Sequence, residues 1–281
     1  MKKIFLPLIL MLFAQAVLAQ AVPSLLVPAN SRNIAMGGVA LPTDAPKLGV
    51  QAFYGMWAPK SAKNTLIGGD VFFRAGKRVA LSVEGRTFLD QPYDITTTQG
   101  QARGTFRPND LIIGAGVSVA FSDAFGATLK GRYVMSAIAE NMKGGAFCGD
   151  LSVDYHGSIA FASLGARNIG SRISYGGDSY ALPMLAALSG GVHPVDGLTV
   201  GAEVDYLFSG AFMAGLGLEY TIADIVSLRG GFHYGDAAKA IPTYASLGLG
   251  VKFAGVHLDA AFLLASKTLG NTLMLGLGYS F

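Results

Sequence analysis

Apolar and polar residues alternate one by one along most of the chain, in stretches of about ten residues. In residues 78–88, Val79, Leu81 and Val83 share one face, whereas Glu84 and Arg86 share the other. Successive side chains of a strand point to opposite faces, so this period predicts strands with one apolar and one polar face. About fourteen segments show the pattern. They lie near residues 48–57, 64–74, 78–88, 110–121, 125–136, 150–162, 165–175, 183–193, 198–209, 211–221, 225–234, 244–254, 256–266 and 271–281.

The connections between these segments alternate between short and long. Tight turns are predicted at 75–77, 122–124, 194–197, 222–224 and 254–255, and longer connections at 89–109, 137–149, 176–182 and 235–243. Residues 209–210 are the exception, because they form a minimal connection on the long side. Short periplasmic turns and longer extracellular loops are typical of outer-membrane barrels. The alternation therefore predicts an up-and-down barrel with both ends in the periplasm.

Composition favours a membrane barrel over a soluble sheet. Hydrophobic residues make up 51% of the chain and charged residues 14%. Beyond the first segment, however, no apolar run reaches the ~18 residues of a spanning helix. Only helices and closed barrels satisfy every backbone group in lipid. The sequence thus predicts an all-β transmembrane antiparallel barrel over residues 48–281, in the outer membrane of a Gram-negative bacterium.

Two segments precede the predicted barrel. Residues 1–19 begin with Lys2 and Lys3, continue as an apolar run and end at Ala19, as a cleaved signal peptide does. Cleavage one or two residues later is the alternative. Residues 20–47 are rich in proline and predict a short plug or hatch, folded into or under the periplasmic mouth.

The last predicted strand ends in an aromatic residue. Leu277, Tyr279 and Phe281 alternate on its outer face, and Phe281 closes the chain. This ending resembles the signal by which the barrel assembly machinery recognises its clients. We therefore expect that machinery to be a partner during insertion.

Glycine is unusually frequent, with 38 residues, or about twice the ordinary ~7% share. Much of it lies inside predicted strands, as at Gly215, Gly217, Gly276 and Gly278. Glycine weakens the strands of soluble sheets but fits where side chains must yield space. We expect these glycines to relieve crowding inside a curved wall.

The polar faces carry charges of both signs. The set predicted to face the lumen is Glu84, Arg86, Lys130, Arg132, Glu203, Asp205, Glu219, Arg229, Lys252 and Asp259. Because opposite charges alternate around the wall, we interpret them as a mutually neutralising network that stiffens the barrel. The histidines lack metal-ligand spacing, and Cys148 stands alone, which excludes an internal disulfide and leaves its role open. No motif indicates an enzyme, a cofactor or nucleic-acid binding.

One short motif resembles a known family. Residues 32–38 read R-N-I-A-M-G-G, with Arg32, Met36, Gly37 and Gly38 as its distinctive positions. They resemble the Arg-x-x-x-Met-Gly-Gly stretch that opens the mature part of the PorV/PorQ outer-membrane family, relatives of the FadL-type fatty-acid channels. The glycine-rich C-terminal third and its Leu-Gly-Tyr-x-Phe ending are similar as well. The resemblance implies a fourteen-stranded FadL-like barrel with an N-terminal plug.

The resemblance also implies a function. It suggests a non-enzymatic barrel that sits in outer-membrane lipid and binds proteins of type IX secretion or of another surface complex. The alternative is a FadL-type channel for hydrophobic small molecules, which predicts an apolar pocket at the mouth and a lateral gap in the wall. An aqueous porin comes third, because a plug and a crowded charged lumen work against free diffusion.

Overall fold

The protein is described from a computed structural model, which covers residues 20–28, 30–41, 47–57, 63–236, 238–265 and 270–281. The predicted signal peptide lies outside the described residues. Fourteen antiparallel strands close into a barrel, in which the first strand pairs with the last. This confirms the predicted fold class and strand number.

The barrel strands follow one another along the chain. Two small hairpins, at residues 93–106 and 173–180, are not part of the barrel wall. Before the barrel, a 3-10 turn spans Pro23–Leu26 and helix α1 spans Ser31–Ala35. The strands are β1 (Leu48–Trp57), β2 (Asn64–Ala75), β3 (Val79–Leu89), β4 (Tyr93–Thr96), β5 (Ala102–Phe106), β6 (Asn109–Ala120), β7 (Phe125–Ala139), β8 (Met142–His156), β9 (Ala160–Gly170), β10 (Ile173–Tyr175), β11 (Asp178–Tyr180), β12 (Leu185–Val195), β13 (Leu198–Leu207), β14 (Phe212–Ile222), β15 (Val226–Gly235), β16 (Tyr244–Phe253), β17 (Val256–Ala265) and β18 (Thr272–Ser280).

The outer face of the wall is continuously apolar. Val83, Leu129 and Leu216 are typical of its residues, with exposed fractions of 60%, 57% and 60%. Soluble monomers rarely expose apolar patches larger than a few hundred Å². Lipid is the solvent that such a surface fits, and the protein is an outer-membrane barrel. None of the helices in the described part of the chain has the length and apolar character needed to cross a bilayer.

The two rims of the barrel differ. One, which we call the turn end, carries the connections 76–78, 121–124, 157–159, 196–197, 223–225 and 254–255. The other, the loop end, carries the β4–β5 and β10–β11 hairpins, residue 236 and residues 238–243. By the rule that periplasmic turns are short, the turn end faces the periplasm and the loop end faces outside.

The predicted boundaries are wrong in one region. Residues 150–162 and 165–175 were predicted as strands, and 137–149 as an outer loop. Instead β7 and β8 extend through the predicted loop to a tight turn at 140–141, and the next turn lies at 157–159. The β10–β11 hairpin folds against the inner face of β8, where a Cβ on Gly144 would lie 2.5 Å from Ser174 O. This contact between the hairpin and β8 accompanies the longer strands. It could not be predicted, because the alternation within a strand does not show which other segment packs on it.

Phe281 closes the barrel through its backbone, and its ring meets the Tyr279 ring edge-on, with 4.5 Å between the centroids. Its N–H donates to Leu48 O at 2.8 Å, while the residue is 67% exposed. Phe281→Ala should therefore change the stability of the folded barrel little, but lower the amount assembled in the outer membrane severalfold. Heat-modifiable migration of outer-membrane fractions measures this. Phe281→Tyr should assemble normally; equal assembly of all three proteins would argue against an assembly signal here.

Candidate functional site

The N-terminal segment, residues 20–41, lies inside the barrel, and we call it the plug. Gln20 forms a parallel bridge with Ala181 at the loop end, where Ala21 N donates to Ala181 O at 3.0 Å. From there the chain descends to Leu41, which packs with Phe161 of β9. The expected place was in or under the periplasmic mouth, whereas the observed segment reaches the loop end. Residues 29 and 42–46 of the predicted plug region lie outside the described residues.

The loop-end half of the lumen is lined mostly by apolar side chains, and we call it the apolar chamber. It also holds the buried polar residues Asn64, Ser136 and Thr272 and the half-buried Asp110. Its wall residues are Phe53, Trp57, Leu66, Ile112, Val134, Leu185, Leu207, Met213, Tyr244, Leu263 and Met274. The plug fills it with Val22, Leu25, Val27 and Ile34, all buried. Burying such a side chain contributes about 1.5–3 kcal/mol. Hydrophobic packing in this chamber explains why the plug extends so far from the turn end.

The turn-end half of the lumen is lined by hydroxyl groups. Ser118 and Thr128 are hydrogen-bonded across β6 and β7 at 2.8 Å, and Thr221 and Ser227 across β14 and β15 at 2.9 Å. Small hydroxyl side chains leave room for water and exchange hydrogen bonds with it. The lumen therefore changes from apolar to hydrophilic between the loop end and the turn end.

Inward-facing glycines on β14 to β18 form a cradle for the plug. A Cβ on Gly215 would lie 2.5 Å from Gly37 O, and one on Gly276 would lie 2.7 Å from Ser31 Oγ. Gly217, Gly231 and Gly248 meet Met36, Gly37 and Ala35 even more closely. These glycines are needed because another backbone occupies the place of their side chains. Their role is more specific than the expected relief of crowding in a curved wall.

The motif residues 32–38 shape the plug for this cradle. The Asn30 side chain caps helix α1 by accepting a hydrogen bond from Asn33 N at 2.7 Å. After Met36, which is fully buried, Gly37 and Gly38 take φ values of 72° and 89°. Residues with a Cβ rarely adopt that conformation. The two glycines thus end the helix and let the chain lie flat against β14 and β15.

Arg32 clamps the plug to the wall. Its Nε and Nη2 donate to the two carboxylate oxygens of Glu219 at 2.9 and 2.6 Å. Arg229 Nε donates to the same carboxylate at 2.5 Å, and Arg229 also binds Asp259. Paired guanidinium–carboxylate contacts are among the strongest hydrogen bonds in proteins. Positive and negative charges alternate from the plug across β14, β15 and β17.

A second ion cluster lies on β3, β7 and β8. Arg132 donates to Glu84 at 2.6 Å and also binds Asp150. Lys130 lies 3.5 Å from Glu84, a long contact. This cluster joins three neighbouring strand pairs and does not touch the plug through these bonds. These ion pairs therefore connect strands of the barrel wall with one another.

A third cluster joins the wall to the end of the plug. Arg167 Nη1 lies 2.7 Å from Glu203 and 3.8 Å from Asp205. The second oxygen of Glu203 accepts a hydrogen bond from Ala40 N of the plug at 2.5 Å. Glu203 therefore serves both the wall network and the plug.

The two remaining predicted lumen charges, Arg86 and Lys252, form no ion pair within these clusters in the described part of the chain. Arg86 donates to the plug carbonyl of Val27 at 2.9 Å, so it holds the plug through backbone oxygen. Lys252 is exposed near the turn end and forms no ion pair with another residue in the described ranges. The network interpretation thus describes the wall in part, because it omits the contacts that Arg32, Arg86 and Glu203 make across the lumen.

Sequence reasoning missed Asp150, Arg167 and Asn168. The pairing of β8 with β9 shifts register between Gly149 and Leu151, and Asn168 has a φ of 58°. This bulge turns two consecutive residues, Arg167 and Asn168, toward the lumen, which strict alternation does not allow. Asn168 then accepts from Arg132 and donates to Pro183 O. An Arg-Asn pair inside a strand was the available signal, since asparagine tolerates positive φ.

The outer surface carries a depression of about 940 Å³ at mid-height, on β1 to β8. Its floor includes the outward glycines Gly69, Gly85 and Gly131, and its sides include Tyr133 and Phe147. The two rings are 4.6 Å apart between centroids. The absence of side chains on three strands makes the wall thin at this point.

Metal coordination finds no support in the described ranges. No group of three or more His, Cys, Asp or Glu side chains there could hold a metal ion. His233, the most buried histidine, stacks on Tyr244 at 4.8 Å and places Nδ1 3.2 Å from Gly37 O. It is another contact between the wall and the plug.

Comparison with solved structures shows a FadL-like fold. The Ralstonia pickettii toluene transporter TbuX has a TM-score of 0.65 and 11% identity, over 91% of this chain and 99% of that one. The Pseudomonas putida toluene transporter TodX has a TM-score of 0.65 and 10% identity, over 91% and 99%. A Pseudomonas aeruginosa FadL homologue has a TM-score of 0.54 and 11% identity, over 92% and 99%. At such identities the likeness concerns the fold.

Comparisons by sequence found no match. No protein-family model matches the chain. No curated protein matches it either. The resemblance of residues 32–38 to the PorV/PorQ family therefore stays a prediction.

Proposed function

We propose that this barrel conducts small hydrophobic molecules across the outer membrane and that the plug is its gate. The apolar chamber is the observation that supports this most directly. A water-filled porin has a polar lumen, whereas most of the side chains that line the loop-end half of this lumen are apolar. The chamber is filled by side chains of a segment that hydrogen bonds, ion pairs and apolar contacts hold against the wall. Apolar plug residues occupy the space that an apolar solute would need.

Opening requires the plug to move, because the described wall is closed. Each barrel strand pairs with two neighbours, so the lateral gap predicted for a FadL-type channel is not formed in this conformation. A solute that left the chamber through the wall would meet lipid at the outer depression, where the wall is thin. A solute that left past the plug would reach the hydroxyl-lined turn end. Both routes begin with displacement of the plug.

A protein-binding role in secretion is the other hypothesis, and it rests on the PorV/PorQ resemblance. In the structure the residues that carry that resemblance face the lumen. Arg32 binds Glu219, Met36 is buried, and Gly37 packs on the cradle. These residues lie inside the barrel and not on its outer surface, which favours a role of the motif in seating the plug.

Locking the plug tests the gate. A cysteine pair at Ser31 and Gly276 should form a disulfide, because Ser31 Oγ lies 2.7 Å from the place of a Cβ on Gly276. Cells with an intact lipopolysaccharide leaflet would express S31C/G276C in a Cys148→Ser background, and initial uptake of radiolabelled toluene would be measured. Toluene is chosen because two barrels of similar fold are toluene transporters.

We expect uptake to fall to the level of cells without the barrel when the disulfide forms, and to recover on reduction. The single variant S31C in the same background serves as the control and should be insensitive to oxidant. Equal uptake by oxidised and reduced protein would exclude the plug as gate. Uptake by the unmodified barrel no faster than in cells without it would exclude the channel.

A further inference from the structure

The outer depression of about 940 Å³ lies on one side of the barrel, on strands β1 to β8. Gly85 and Gly131 belong to its floor, and a Cβ on either of them would meet no atom within 4 Å. From Gly85 toward the turn end, the lining continues with the outward side chain of Val83 and with its neighbour Val71 on β2. The depression is therefore an apolar hollow in the lipid-facing surface.

A cluster of positive charges lies at the turn end of the same strands. The turn between β2 and β3 contains Lys77 and Arg78, and both are exposed. Lys47 and Arg74 are exposed beside it, and Arg74 N donates to Lys47 O at 3.0 Å. None of these four residues forms an ion pair within the described part of the chain. We call them the basic corner.

The other connections of the turn end carry negative charge or none. Asp123, Asp196 and Asp224 lie in three of them, whereas 157–159 and 254–255 contain no charged residue. Among the six connections that the structure describes at this end, basic residues occur only between β2 and β3. The positive charge is thus concentrated on the side of the barrel that carries the depression.

The basic corner and the depression match the two ends of one membrane leaflet. At about 3.3 Å per residue, β3 rises roughly 20 Å between Val79 and Gly85. With the ~40° tilt of a membrane strand, this rise is about 15 Å along the membrane normal, half of the ~30 Å apolar core. The depression therefore lies near the middle of the bilayer when Lys77 and Arg78 lie at the headgroups of the periplasmic leaflet.

We propose that this face binds one anionic phospholipid of the periplasmic leaflet, with its headgroup phosphate on Lys77 and Arg78 and the end of an acyl chain in the depression. Lysine and arginine bind phosphate oxygens through charge-assisted hydrogen bonds. The missing side chains of Gly85 and Gly131 leave room for the chain. The turn selects the charge of the headgroup, and the depression holds the lipid in place.

Native mass spectrometry of the full barrel in detergent tests the headgroup. Phosphatidylglycerol and the zwitterionic phosphatidylethanolamine would be added at equal concentrations, and we expect one phosphatidylglycerol to be retained in preference. Since each cation near an anionic lipid surface contributes to its attraction, the double variant Lys77→Gln, Arg78→Gln should weaken phosphatidylglycerol binding about tenfold or more. Phosphatidylethanolamine binding should not change. Lys252→Gln, which removes an exposed cation from another part of the turn end, should bind both lipids as the unmodified barrel does.

Gly85→Leu tests the depression. Because no atom lies within 4 Å of the place of its Cβ, leucine fits the wall without collision and fills the space of the acyl chain. Retention of phosphatidylglycerol should fall severalfold. Gly230→Leu is the matched control, since Gly230 has the same open surroundings on β15, away from the depression, and retention should not change.

Heat-modifiable migration would show that each variant is folded. Equal retention of the two lipids by the unmodified barrel would overturn the proposal, and so would unchanged phosphatidylglycerol binding in the double variant or in Gly85→Leu. A dimer without bound lipid would also overturn it, because a second copy of the chain would then cover this face. Since lipid binding is measured without transport, its outcome does not depend on the toluene test.

Discussion

Gly231→Val should unseat the plug from β15 and raise the conductance of the barrel. Gly231 faces inward from β15, and a side chain there would collide with the backbone of Met36 and Gly37. Backbone on both sides cannot yield as a flexible side chain does, so overpacking costs about 1–3 kcal/mol or more. The contacts of the plug beside this strand would be weakened with it. Planar-bilayer recordings should show a several-fold larger conductance.

Gly230→Val is the matched control. Gly230 precedes Gly231 on the same strand but faces outward, and no atom lies within 4 Å of the place of its Cβ. The substitution has the same effect on strand propensity and leaves the plug in place, so its conductance should equal that of the unmodified barrel. Limited proteolysis should cut residues 20–41 in Gly231→Val only. Protection of the plug in both variants would contradict the cradle.

The barrel could be predicted from sequence because each membrane strand shows its own alternation of apolar and polar residues. One apolar and one polar face appear as alternation within a single segment, so β13, at Leu198–Leu207, is visible without knowledge of its neighbours. The predicted boundaries are wrong at β8 and β9, where the alternation is interrupted. There the β10–β11 hairpin packs on Gly144, and the bulge at Asn168 breaks the alternation.

The site could be predicted only in its composition. Inward charges such as Glu219 and Arg229 follow from the period, but their partners depend on the path of the plug. The contact between Arg32 and Glu219 joins residues 187 positions apart. Similarly, a glycine inside a strand shows that something approaches closely, but not what. Gly231 has this meaning only once Gly37 is placed against it.

Glu219→Gln should release the clamp and destabilise the barrel wall together. The Glu219 side chain is 6% exposed and binds two guanidinium groups, one from the plug and one from β15. Removing one partner of a buried charge cluster typically costs about 3–5 kcal/mol, because the remaining charges stay desolvated. In this variant Arg32 and Arg229 face each other without the carboxylate between them. Unfolding in guanidinium chloride should begin at lower concentration, and the conductance should rise.

Asp259→Asn separates the two effects, because Asp259 binds Arg229 and forms no hydrogen bond or ion pair with the plug among the described residues. It should lower the unfolding midpoint and leave the conductance low. Arg32→Gln should do the reverse, with a small stability loss and a higher conductance, since Arg32 is 30% exposed and Glu219 keeps Arg229. The double variant Arg32→Gln, Glu219→Gln should conduct no more than Glu219→Gln alone. Additive conductance changes would show that the two residues act on the plug separately, and that the Arg32–Glu219 pair does not hold the plug closed.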